Sequence, residues 1–552
     1  MPDARHLPDE IFVNIFENFA IPAEALSTTF GDRHWAENGA RRATLARACQ
    51  ASHRLRRVAE PILYRRLVHG SHNLLAVFCS RPALGEHVRH ILYDGWTLEK
   101  SRDMMRVYSP TVRKIARDKY QSRALDRLLE RTWDCSGNHE DARLDKPCDY
   151  FASQGYTMLL PLILVLTPNL ETLTLLQRDL DQSDTLSRLF NFCGRRLECS
   201  GGLSDFGDGQ TQIQALPLSK LRALATVGGS TRWPKEVDST EDQAIVSLIF
   251  FPGLKSFSSS ALDWAPISSV QRLNEARTDD AFMMDLTDPR AQHYHEHDYE
   301  DIDNPDDKGN ALFPPAHGSH PNLEHLALVK SSGSSAADLR EVLLVFPSLQ
   351  SLVLHFVVFR DREKLDFAQY GNTLRDPATD AAHLRRFELE PALYEARLFG
   401  SGLDPEMADI SEKEDQGIIG SLRDAMPSLE QLRVPLAALV GIGASPGAEL
   451  DLCAVLPASL RWFWTAVTVA GDAGAHLDAL ERMLDEAEHR LPALEWVLVR
   501  LPVNHEILCF ECSDFVATRV GDQHVLYQKR TVAVGTPPGW EHEEVEHVVF
   551  LP

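Results

Sequence analysis

Gly443-Ala444-Ser445-Pro446-Gly447 has the spacing of a nucleophile elbow, in which a serine on a sharp turn attacks a carbonyl and the next backbone N–H helps hold the oxyanion. Pro446 occupies that next position and has no N–H, so the segment reads as a connecting loop. His293, His295 and His297 alternate, and on a strand they would share a side as metal ligands. Their acidic surroundings, from Glu296 and Asp298 to Asp301 and Asp303, favour a solvated polar tract instead. Cys509 and Cys512 are a single pair, whereas a structural zinc takes about four ligands. Gly441-Ile442-Gly443 lacks the rest of a phosphate-binding signature. No catalytic constellation, metal or cofactor is expected, and the chain reads as a binding protein.

The chain has 552 residues, enough for three or four ordinary domains or one long repeat array. Hydrophobic residues make up 44% and charged residues 25%, the balance of a folded chain with a large core. The longest apolar run, Met158 to Leu166, is interrupted by Pro161 and far too short to span a bilayer. Asp3, Arg5, Asp9 and Glu10 stand with no apolar run before them, so no secretory signal is expected, and nine scattered cysteines suit reduced thiols. These features point to cytoplasm or nucleus, with no membrane partner. Net charge is −24. Eight arginines between Arg41 and Arg66 face one acid, Glu60. The strong negative charge elsewhere argues against nucleic acid, so a basic face toward an acidic protein partner is favoured over it, with a solvated arginine face as the competing reading of that stripe.

Candidate side chains need elements to position them, and one pattern supplies these. An apolar helix ends near a proline, and a strand of the form Leu-x-x-Leu-x-Leu follows. Pro168-Asn169-Leu170, Pro321-Asn322-Leu323 and Pro347-Ser348-Leu349 open the clearest copies; looser ones start at Leu221, Leu254, Leu384, Leu429, Leu460 and Leu494. Ala337 to Phe346 reads as the helix between two of them, with Leu339, Val342, Leu343 and Phe346 on one side. The pattern resembles a leucine-rich-repeat array, which implies parallel strands inside and helices outside. The array is irregular, because later spacings exceed the usual 20–29 residues and no asparagine or cysteine follows the strands. Acidic insertions are expected at 284–318 and 399–416, and Phe515–Arg519 with His524–Tyr527 suggest a closing hairpin.

The first residues are of another kind. Leu7-Pro8-Asp9-Glu10-Ile11 opens a short helix in which Ile11, Ile15 and Phe19 recur at four-residue steps beside Phe12 and Phe16. So short a helix cannot hold itself together in water and must bury part of that stripe. A second helical stretch, Thr44 to Val58, and a third piece, Pro61 to Leu67, follow. In order, Leu7-Pro8, Ile11, Ile15-Phe16, Leu45, Cys49, Leu55, Val58 and Leu63-Tyr64-Arg65-Arg66-Leu67 resemble an F-box over residues 5 to 67, about an eighth of the chain. The resemblance implies docking on a Skp-type adaptor, and through it a cullin, by Leu7, Pro8, Ile11, Ile15, Leu45, Cys49 and Leu55. The long segment from Ile21 to Ala40 departs from the family's short first turn.

The resulting expectation is an α/β chain. Residues 1–70 form a three-helix F-box-like module and 71–150 a helical linker or cap. Residues 151–502 form the leucine-rich-repeat-like solenoid, and 503–552 a C-terminal cap and tail. Degenerate arrays behind an F-box resemble many fungal proteins. The implied role is the substrate-recognition subunit of a Skp–cullin–F-box ubiquitin ligase, non-catalytic itself, whose groove binds a target protein; a non-ligase repeat scaffold is the alternative. Strand alternation puts Phe463 inward and Trp462, Trp464, Trp496 and Leu498 outward, with Gln431 and Arg433 on the strand before. Arg433, Trp462, Trp464 and Trp496 are therefore the expected substrate-binding residues, since tryptophan and arginine dominate interface hot spots.

Overall fold

The computed structural model describes residues 7–21, 32–68, 73–93, 98–122, 159–176, 216–227, 253–260, 322–332, 336–358, 366–391, 417–441, 451–467, 473–501, 514–520 and 524–532, with a few single residues between. It is a mixed α/β structure. The chain divides into two compact units, residues 1–259 and 260–541, a boundary that falls inside the stretch expected to be one array.

The strands form because one turn recurs. In the second unit, Leu349, Leu384, Leu429, Leu460 and Leu494 each donate their N–H to the carbonyl three residues earlier, at 2.9 to 3.1 Å. Leu170, Leu221 and Leu254 do the same in the first unit, at 2.9 to 3.2 Å. Pro168, Pro347, Pro427 and Pro492 sit second in such turns, where a fixed φ suits the bend and no N–H is needed. The leucine that ends each turn is buried, and a strand begins two residues later. All nine leucines that opened the sequence pattern, including Leu323 ahead of its strand, are used in this way.

The first unit opens with α1 (Asp9–Glu17), α2 (Asp32–Ala51) and α3 (His53–Arg65). The expected helix over 44–58 is broken at Ser52, whose hydroxyl caps α3 by accepting the Leu55 N–H at 3.1 Å. The expected third piece merges into α3 through Pro61, and Arg66–Val68 is strand β1 rather than helix. Gly39 does not break α2, and no atom lies where its side chain would be. Then come α4 (Asn73–Ser80), β2 (His90–Tyr93), α5 (Leu98–Tyr120), α6 (Leu159–Leu166), β3 (Thr172–Leu176), β4 (Ala223–Val227) and β5 (Ser256–Ser260). Helix α5 ends at Tyr120, whose hydroxyl donates to Val165 O at 2.7 Å; α6 is buried throughout. Strands β1 to β5 pair in sequence order, all parallel. In-register Leu67, Ile91, Leu173, Leu224 and Phe257 form its buried ladder.

The second unit runs β6 (His325–Ser332), α7 (Ala336–Val345), β7 (Ser351–Val358), α8 (Phe367–Arg375), β8 (Arg386–Pro391), α9 (Leu422–Ala425), β9 (Gln431–Pro435), α10 (Leu436–Val440), α11 (Leu452–Val455), β10 (Trp462–Ala466), α12 (Ala473–Arg490), β11 (Trp496–Arg500), β12 (Phe515–Val520) and β13 (His524–Lys529). Leu339, Val342, Leu343 and Phe346 are buried as the sequence suggests. Strands β6 to β11 are parallel neighbours, and the hairpin β12–β13 joins antiparallel in the order β11-β13-β12. Leu326, Leu352, Phe387, Leu432, Phe463, Val497 and Tyr527 stand opposite one another across seven strands, all buried. Burial of this ladder is the main force holding successive strands in register. A second ladder lies one residue ahead of the strands. Gln350, Arg385, Glu430, Arg461 and Glu495 each donate a backbone N–H to the preceding strand's equivalent residue at 2.8 to 2.9 Å. From Arg385 onward their side chains alternate in sign, with Arg461 and Glu495 2.8 Å apart.

Candidate docking surfaces

The N-terminal helices enclose a small core of their own. Phe16, Leu45, Cys49, Val58, Ala59 and Ile62 are its buried members, with Phe12, Phe19, Leu55 and Leu63 packed around them. Burial pushes the Cys49 thiol up, as expected for a group among apolar side chains. Leu45 and Cys49 were expected to meet an adaptor; in this structure they are buried and supply the module's own interior. Leu55 is half-buried against that core.

The other residues expected to dock are on the outside. Ile11 is 42% exposed and Ile15 45%, and Pro8 is also exposed, with Leu7 half-buried. Ile11 and Ile15 lie one turn apart on α1, beside the inward Phe12 and Phe16. Val13, 37% exposed, lies round the other side of the same helix and was not singled out by the four-residue repeat. Among the described residues, only three large hydrophobic side chains elsewhere in the chain are so exposed: Val107, Ile418 and Val516.

Ion pairs fix how α1 presents these side chains. Asp9 takes Arg54 and Arg57 at its N-terminal end, at 2.7 and 2.5 Å. Glu17 receives both terminal nitrogens of Arg65 at the other, at 3.0 and 2.8 Å. The Arg54 hydrogen bond, then that of Arg57, holds the Asp9 carboxyl below the usual carboxylate value. Arg41 donates to Ala20 O, Arg56 to Cys49 O and Arg66 to Ile21 O. The arginine stripe read as a basic face toward an acidic partner is thus largely used inside the module, closing helix ends and chain turns.

In the second unit, alternation places a different set of side chains on the sheet face away from the buried ladder. Glu388, Arg433, Trp464 and Leu498 stand opposite one another on β8 to β11, and Arg386, Gln431, Trp462 and Trp496 form the parallel row. The Arg433 guanidinium stacks 3.8 Å from the Trp464 ring centre and pairs with Glu390 at 2.6 Å. His355 lies 3.0 Å from Glu388 and 3.7 Å from Glu390. Arg386 closes the cluster on Glu388 at 2.7 Å. Burial alone would raise the Glu388 carboxyl; Arg386, then His355 and Arg433, overcome this and hold it well below the ordinary range. Arg433 is therefore a member of a network spanning β7 to β10.

Trp462 and Trp464 are half-buried on the expected face. Trp496 and Leu498 also have the expected direction, yet they are only 6% and 7% exposed, which corrects their reading as solvent-facing. Strand β13 pairs against the side of β11 away from β10, and the Trp462 ring lies 5.8 Å from that of Trp496. Both flanks of Trp496 are thereby occupied by neighbouring strands. His524 on β13 titrates down near 4, driven by burial and then by Arg500 and Arg433.

Sequence reasoning missed the carboxylates. Glu388 and Glu390 are two residues apart on the strand after Leu384, a spacing that puts both on one face; His355 shares that face. It also missed Asp451, Cys453 and Glu486, whose donor atoms lie close together. Arg490 pairs with both carboxylates, each at 2.7 Å, and burial pushes the Cys453 thiol up to about 11. That donor set suits an ion-pair cluster better than a cation. Gly443 to Gly447, His293, His295, His297, Cys509 and Cys512 lie outside the described residues, as do the insertions at 284–318 and 399–416. No helix among the described residues is long and apolar enough to cross a membrane. No protein-family model matches the chain, and no curated protein matches it in sequence.

Proposed function

We propose that this chain is the substrate-recognition subunit of a Skp–cullin–F-box ubiquitin ligase, with the N-terminal helices docking on the adaptor and a leucine-rich-repeat solenoid binding the target protein. One observation carries the reading: Ile11 and Ile15 stand exposed on a helix whose Phe12 and Phe16 already satisfy the local core. A nine-residue helix pinned at both ends, with apolar side chains left over, is a ready anchor for a partner helix. The docking set becomes Leu7, Pro8, Ile11 and Ile15, with Leu45 and Cys49 shaping the module from within. The chemistry of ubiquitin transfer would belong to partner subunits. For the target, Trp462 and Trp464 beside Arg433 offer aromatic and cationic contact.

A second reading, a non-ligase scaffold whose first helices only cap the array, is favoured by one feature. Helix α3 runs directly into β1, the first strand of the sheet, with no linker between. Co-purification with a Skp-type adaptor separates the two. The ligase reading expects retention by the wild type and loss in Ile11→Asp/Ile15→Asp, and the scaffold reading expects no retention by either.

A further inference from the structure

Strand β12 ends the sheet of the second unit, paired with β13 on one side and, among the described residues, with nothing on the other. The hydrogen-bond phase shows which of its backbone groups face out. Arg530 N–H donates to Asp514 O at 2.8 Å, so these opposed residues form a hydrogen-bonded pair. Antiparallel alternation then gives Val516/Gln528 and Thr518/Leu526 the same status. The N–H and C=O groups of Phe515 and Ala517 consequently point away from β13, about 7 Å apart along the edge.

Edge strands ordinarily carry a proline, a bulge or inward charge that prevents further pairing. Strand β12 runs six residues in unbroken register with no Pro, Gly or bulge, and its one charged residue, Arg519, comes after Phe515 and Ala517 on the same face. Val516, 46% exposed, ends the transverse row that contains Trp462, Trp496 and Gln528. An added strand would extend this row by one side chain and cover Val516.

We propose that the outer edge of β12 is a strand-addition site that takes an extended peptide segment of a partner protein, with an apolar side chain seated against Val516. The inference rests on the second unit being the target-binding part and names how a target would be gripped. Alternating outward N–H and C=O groups match another extended backbone and little else, and Val516 favours an apolar cross-strand neighbour. A second copy of this chain is the poorer occupant, because each copy brings a net charge of −24.

The probe is a phage-displayed library of random heptapeptides, panned on the full-length chain. Selected peptides should carry alternating apolar residues and bind the wild type. They should lose about tenfold or more in affinity for Ala517→Pro, which removes one outward N–H and leaves the β13 ladder intact, while Ala517→Val stays within about twofold. In the free wild type the Ala517 amide should exchange faster than those of Val516 and Thr518, and bound peptide should slow it. The exchange measurement decides the matter even if Ala517→Pro misfolds. Failure to select any peptide, equal binding by a folded Ala517→Pro, or an Ala517 amide as protected as its neighbours in the free chain overturns the proposal. Adaptor retention is measured on the same preparations and is expected to be unchanged in Ala517→Pro, so failure at this edge is distinct from failure of docking at α1.

Discussion

Glu17 and Arg65 join the last turns of α1 and α3 through two parallel hydrogen bonds of 2.8 and 3.0 Å, so the rotation of α1 is set from its far end as well as by Asp9. Rotation matters because Phe12 and Phe16 must face in for Ile11 and Ile15 to face out. Both partners of the pair are about a third exposed, so solvent screens it and its value to global stability is about 0.2–1 kcal/mol. Glu17→Gln is expected to leave the unfolding midpoint nearly unchanged while raising amide exchange across α1. Unchanged exchange would show that the pair does not orient the helix.

Acid should loosen the same helix from its other end. The Asp9 carboxyl is held below the ordinary aspartate value of 3.8 by Arg54 and then Arg57. A carboxylate with a depressed folded pKa contributes stability that is fully present above its unfolded value and lost as pH falls through the folded one. Protection of the α1 amides is expected to be constant near neutral pH and to fall below about pH 4. Asp9→Asn should show the weaker protection at every pH. An Asp9→Asn profile that still steps in acid would assign the effect to another group.

The two kinds of apolar residue in the N-terminal module should respond in opposite ways. Leu45 is 1% exposed, and Leu45→Ala is expected to cost about 2–5 kcal/mol in denaturant unfolding. Ile15→Ala, at an exposed site, should stay within about 0.5 kcal/mol. Similar costs for both would mean that the chain itself covers Ile15.

Gly371 lies within α8, and a methyl group built on it would occupy the position of the Ile419 carbonyl. Gly371→Ala must therefore push the backbone of 417–420 away, and a loss of about 1–3 kcal/mol is expected from the overpacking. Gly474 in α12 meets nothing, and Gly474→Ala should stabilise by about 0.4–1 kcal/mol. Thermal unfolding of the two variants tests the close approach of α8 to that segment.

Glu388 offers a readout of the charged network in the second unit. Burial opposes its ionisation, and Arg386 with His355 and Arg433 restores it. Glu388→Gln is expected to cost roughly 1–3 kcal/mol near neutral pH through lost charge-assisted hydrogen bonds. The wild type should lose this advantage as pH falls from the ordinary glutamate value of 4.5 through the depressed folded one, so the two proteins converge in acid. A difference that persists at low pH would point to packing rather than charge.

Much of the scaffold was legible because it is periodic. Leu170, Leu221, Leu254, Leu323, Leu349, Leu384, Leu429, Leu460 and Leu494 each stand buried two residues before a strand, eight of them closing a local turn. Direction across the sheet was legible too, since Phe463 is buried and Trp462 and Trp464 are on the other face. What sequence could not show depended on partners distant in the chain. Trp496 reads as outward from β11 alone, and only the pairing of β13, about thirty residues on, covers it. The arginines from Arg41 to Arg66 read as a surface stripe because their acceptors, Asp9, Glu17, Ala20 and Ile21, lie across the first helical turn. Leu45 and Cys49 fit a docking motif and a helix core equally well, and packing alone decides between them.

Adaptor retention is the most direct test of the central claim, that α1 offers a docking ridge the chain does not use. Full-length wild type and Ile11→Asp/Ile15→Asp would be co-expressed with a Skp-type adaptor and purified through a tag on the chain, with unfolding midpoints measured for both. The account predicts that the wild type keeps the adaptor in stoichiometric amount and that the variant loses it with its midpoint unchanged. A wild type that keeps no adaptor, or a folded variant that keeps as much as the wild type, would contradict it.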